Sequence, residues 1–74
     1  MDADEQAGLV RALASLTGRT VTDAEVSAIV ALAGSMTAEE ANSIWRRNRS
    51  APHTVPNRHR LAMTLRFIMK AKSE

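Results

Sequence analysis

Apolar residues recur along the chain at helical intervals and form no run of strict alternation. Leu9, Leu13 and Leu16 fall at i, i+4 and i+7, with Val10 widening the stripe, which predicts a first helix over about 3–17. Val26, Ile29, Val30 and Ala33, broadened by Leu32, predict a second over 23–33, and the width of that stripe marks it as the central helix. Ala41, Ile44 and Trp45 form the apolar face of a third over 38–48. Leu61, Leu65, Ile68 and Met69 line a fourth over 57–72. Met63 and Phe67, at i and i+4, lie roughly 200–240° round that last helix from Leu61 at about 100° per residue. The fourth helix therefore carries two apolar strips. Either it is the core helix, or its second strip meets another chain.

The polar positions punctuate these segments. Asp2, Asp4 and Glu5 stand where the positive end of a helix dipole favours acids, and Gly18 fits a C-terminal stop in left-handed geometry. Thr22-Asp23-Ala24-Glu25 and Thr37-Ala38-Glu39-Glu40 both match the capping box, in which the threonine hydroxyl and the glutamate carboxylate satisfy orphan backbone donors reciprocally. Arg46 and Arg47 occupy the last turn of the third helix, the end at which the dipole favours cations. Pro52 and Pro56 exclude a helix interior and make 50–56 a loop, after which Asn57 is placed to cap the last helix. The expected fold is all-α, a compact bundle of four short helices in one domain, 1–74.

Size adds oligomerisation to this picture. A chain of 74 residues buries only about 60% of its unfolded surface, which leaves a lone monomer marginal. Small domains compensate with disulfides, metals or self-association. With no cysteine the first is excluded and thiolate metal sites with it, so a homodimer is the expectation. No stretch approaches the roughly 18 apolar residues of a membrane span, and the acidic start is the reverse of a signal peptide, which together point to a cytoplasmic protein without a membrane partner.

Charge is unevenly divided. Up to Glu40 there are seven acids against Arg11 and Arg19, a balance of −5; from Ala41 there are eight bases against Glu74, a balance of +7. Helix capping accounts for much of the acidic share. It does not account for Arg46, Arg47, Arg49, Arg58 and Arg60, which bracket the proline loop and converge on one end of the molecule if the two helices meet there. A planar guanidinium grips phosphate in a bidentate manner, so the cluster suits a polyanion. The competing reading is a solvated helix end whose charges complement the acidic half.

Two functions follow. The first is a small non-enzymatic regulator binding nucleic acid through Arg46, Arg47, Arg49, Arg58, Arg60, Arg66 and Lys70. The second is an adaptor or inhibitor, of the kind phages and mobile elements carry, that docks on a larger protein through Met63 and Phe67 and the charges around them; the same strip could instead close the homodimer. Trp45, in register with Ala41 and Ile44, reads as a core anchor rather than a stacking platform. A helix-turn-helix across Gly34-Ser35-Met36 matches poorly, because Val30 and Glu40 fall where a small and an apolar residue are needed. His53 and His59 lack the convergent partners of a zinc site, and neither a phosphate loop nor a nucleophile motif is present. No metal, cofactor or catalytic residue is expected.

Overall fold

In a computed structural model of the chain, residues 1–50 and 55–73 are described. Four α-helices follow in order: α1 (Ala3–Leu16), α2 (Asp23–Ser35), α3 (Ala38–Asn48) and α4 (Arg58–Ser73). Each lies within two residues of its expected bounds. Among the described residues no helix is long and apolar enough to cross a membrane.

The ends of these helices are set by the residues anticipated, with one departure. Asp2 Oδ1 accepts from the Glu5 backbone N–H at 2.8 Å to start α1. At its far end Gly18, at φ +76°, turns the chain back on itself. Its N–H donates to the Ser15 carbonyl and that of Arg19 to the Ala14 carbonyl, the paired bonds of a Schellman stop. Thr37 and Glu40 complete their capping box: the Glu40 N–H donates to Thr37 Oγ1, and the Thr37 N–H donates to Glu40 Oε1, both at 3.1 Å. The box expected at Thr22 is only half formed. Thr22 Oγ1 accepts from the Glu25 N–H, but the Glu25 carboxylate turns away to pair with Arg19. An arginine delivered by the Schellman turn outcompetes a neutral backbone donor, because a charge-assisted contact in a partly buried place is the stronger one.

The Thr37 backbone N–H, and after it the Thr37 hydroxyl, hold the Glu40 carboxyl below its ordinary value. A depressed folded pKa contributes stability above the unfolded value and loses it as pH falls through the folded one. Glu40→Gln keeps a neutral acceptor for the same N–H. The variant is therefore expected to be less stable than the parent at neutral pH, with the gap closing in acid. Urea melts of both proteins across the acid range check this; a gap that persists at the acid end removes the charge from the account.

One core joins the helices, and it is organised around α4 rather than α2. α4 packs against all three others, α2 against α1 and α4, and α3 against α4 alone. Leu65, Ile29, Val10 and Val26 are its largest fully enclosed side chains. α4 buries Leu61, Ala62, Met63 and Leu65, so its first apolar strip and the Met63 half of the second are used by its own fold, while Phe67 stays at the surface. Met63, expected at a partner or dimer interface, is only 6% exposed. Met63 is a core residue because α4 packs against three other helices.

Two further expectations are corrected. Leu16 is 84% exposed, because the buried face of α1 runs through Val10 and Ala14 and Leu16 lies roughly 120–160° round the helix from them. Trp45 is 47% exposed and is no core anchor. A helix with a single neighbour buries a narrow stripe, and Ala41 and Ile44 fill it; Trp45, about 100° further round than Ile44, is left at the edge. α2 and α3 do not pack against each other, which rules out the paired geometry of a helix-turn-helix.

Candidate functional site

The end of α3 and the start of α4 form the basic end of the molecule. Asn57 does cap α4, its Oδ1 accepting from the Arg60 N–H at 2.9 Å. This places Arg58 and Arg60 in a first turn that holds no acid. Asn48 anchors the other side: its Nδ2 donates to the Ile44 carbonyl at 2.7 Å, tightening the last turn of α3. Arg47, Asn48, Asn57 and His59 line one opening between the two helices, so the two ends do meet. Pro52 and His53 lie outside the described residues.

The arginines converge on this end but do not share one face. At about 100° per residue, Arg47 lies roughly 200° from Trp45, whereas Arg49 returns to within about 40° of it. Arg47 accordingly faces the side lined by Thr37, Glu39, Glu40 and His59. Arg49 and Arg60 border a groove between α3 and α4 whose other walls include Trp45, Met63 and Phe67. Arg46 borders a third depression with Glu39, Asn42 and Trp45. The basic end presents cations in several directions, and Glu39 and Glu40 limit it on the side of the α3 start.

The described ion pairs of the acidic half are made elsewhere. Arg11 pairs with Asp23 at 2.8 Å, and Arg19 pairs with Glu25, so both described ion pairs lie within the first 25 residues. Arg46, Arg47 and Arg58 are exposed and take part in no ion pair among the described residues. Arg49 lies over the Trp45 indole, 5.3 Å from the ring centroid, within cation–π range. Arg60 is half-buried.

Arg66 has a different task. Its Nε donates at 2.8 Å to the carbonyl of Met36, the C-cap of α2, and the residue is half-buried. It closes the α2 end onto α4, a structural bond, and stands apart from the arginines at the α3–α4 end. Lys70, one turn further on, is exposed and lines a shallow depression with Arg66, Met69 and Met1. Comparison of the chain with protein-family models, with curated proteins and with solved structures gives no match.

What sequence reasoning missed is Trp45 as a surface group. It sits at the edge of the buried face of α3, beside Asn42, Arg46 and Arg49 at helical spacing, and shares one groove with Phe67.

Proposed function

We propose that the protein binds nucleic acid without performing chemistry on it, as a small regulator whose contact surface is the basic end where α3 meets α4. The observation that carries this is the charge arrangement: Arg46, Arg47 and Arg58 face solvent outside any described ion pair, while the acids of α2 draw their partners from Arg11 and Arg19. Exposed guanidiniums at a helix end supply the salt-dependent phosphate term that dominates nucleic-acid affinity. Arg49 and Arg60 extend the surface toward the groove, whereas Lys70, in the last turn of α4, lies apart from it beside Arg66. Arg66 belongs to the fold and drops from the binding set. A homodimer, favoured by the small core, would present two such ends.

Fluorescence titration with duplex DNA and with structured RNA at low and moderate salt tests the proposal. Binding is expected to fall as salt rises. Arg47→Glu and Arg58→Glu together should weaken it at least tenfold and flatten the log–log salt slope by about 2 units, roughly one for each phosphate no longer neutralised. No binding at low salt, or a double variant that binds as well as the parent, sinks it.

A second reading draws on Trp45 and Phe67. Exposed aromatics beside arginines have the composition of a protein-docking hot spot, and an adaptor or inhibitor would use them. With Met63 enclosed, that surface centres on Trp45 and Phe67.

A further inference from the structure

We infer that the α3–α4 groove receives a single unpaired base of the bound nucleic acid, stacked on the Trp45 indole beside Phe67. This deepens the nucleic-acid reading and rests on it. Trp45 and Phe67 are the chain's only aromatic side chains, they line the same groove, and they are 47% and 36% exposed. Leaving an indole half in water forgoes apolar burial that a domain this small can ill spare. Met63, itself almost wholly enclosed, gives the groove an apolar wall of fixed position.

The groove is built to present a flat, apolar, cation-edged surface. Arg49 already rests over the indole, so a planar group is accommodated on that ring; a base can stack there with the guanidinium displaced or sandwiching it. Arg49 and Arg60 edge the groove, and Arg46 stands on the other side of Trp45, placing positive charge on both flanks of the indole, where the phosphates before and after a splayed base would run. The acid on this face, Glu39, lies in the depression beyond Trp45 and not in the groove. Asn48 and Thr64 contribute polar walls with fixed rotamers. Asn48 Nδ2 donates to the Ile44 carbonyl and Thr64 Oγ1 to the Arg60 carbonyl, so each offers an oxygen as acceptor for a base amino group.

Two aromatics on one groove suit one base rather than a tract of successive bases. A base inside a duplex is stacked on both faces and cannot reach the indole, so the preferred ligand is a single strand, or a loop or bulge with a splayed base. This separates the groove from Arg47 and Arg58, whose phosphate contacts are indifferent to pairing.

Trp45 is the sole tryptophan, so the protein's indole emission comes from this residue alone. The full chain is titrated at low salt with a short mixed-sequence single strand, with the duplex it forms, and with poly-glutamate as an acidic polymer without bases. The single strand is expected to quench Trp45 emission and the duplex to bind without quenching. Trp45→Ala should weaken the single strand roughly tenfold or more, the size of one lost base–aromatic stack, and Trp45→Phe by less. Duplex affinity should stay within about twofold for both variants, which also shows that they remain folded. Duplex binding with equal single-strand affinity in Trp45→Ala overturns the base pocket and leaves the nucleic-acid function standing. Binding of neither nucleic acid overturns both. Quenching by poly-glutamate as strong as by the single strand gives the groove to an acidic protein partner and overturns the inference.

Discussion

Arg19→Ala is expected to lower folding stability by roughly 3 kcal/mol, the low end of the range known for buried ion pairs, because this pair is only partly buried. Arg19 lies between the helices rather than on one. Its guanidinium pairs with Glu25 on α2 and donates through Nη1 to the Pro56 carbonyl at 2.8 Å, just before α4 begins. The side chains of the pair are 20% and 23% exposed, and Glu25 Oε1 is enclosed with no hydrogen-bond partner besides this contact among the described residues. Without Arg19 a carboxylate is left in a place water reaches poorly. The total stability of a domain this size is about 4–11 kcal/mol, so the loss shifts the melting temperature by well over 10 °C. Arg11→Ala is the control. It breaks the Arg11–Asp23 pair, whose side chains are 52% and 94% exposed, and should cost about 0.5 kcal/mol or less. Thermal melts of both variants decide the matter; Arg19→Ala as mild as Arg11→Ala would remove the clamp from this account. Replacing both Arg19 and Glu25 by apolar residues is expected to cost less than Arg19→Ala alone, since no charge is then stranded.

Leu65→Ala is expected to cost about 3 kcal/mol, within the usual 2–5 kcal/mol for truncating an enclosed leucine. Leu65 has no exposed surface, on the helix that packs against all three others, so no neighbouring element can close the cavity independently. Trp45→Ala removes a larger side chain and should cost about 1 kcal/mol or less, because nearly half of that residue already faces water. Urea denaturation of the two variants checks the order. If Trp45→Ala proves the more damaging, the indole is part of the core after all and ceases to be a binding group.

The contrast between Leu65 and Trp45 also marks how far the chain's pattern carries. Both sit at proper helical spacing within an apolar stripe, and spacing alone assigns both to the core. A stripe says which side of a helix faces inward; it does not say how many neighbours wait there. α4 has three, so Met63 joins Leu61 and Leu65 inside, and only Phe67 of its second strip is left at the surface. α3 has one, so Ala41 and Ile44 suffice and Trp45 is left outside. Leu16 is given up to solvent for a related reason, since it lies on the side of α1 away from buried Val10 and Ala14.

The arginines divide in the same way. Their density around the proline loop was legible, as was the cap at Asn57 that brings Arg58 and Arg60 to the same end as Arg47. That Arg66 would turn to the Met36 carbonyl was not, because it depends on an atom supplied by the end of another helix.

By itself, then, the sequence determined four helices, their limits and their caps. These are interactions within a few residues, carried by Asp2, Gly18, Thr22, Thr37, Glu40 and Asn57 and requiring no distant partner. Tertiary structure decided which helix is central, that Glu25 abandons its box for Arg19, and that Trp45 faces water. Each of those outcomes is a competition between a local bond or stripe and a group distant in the chain, and only the packing of the four helices sets what lies within reach.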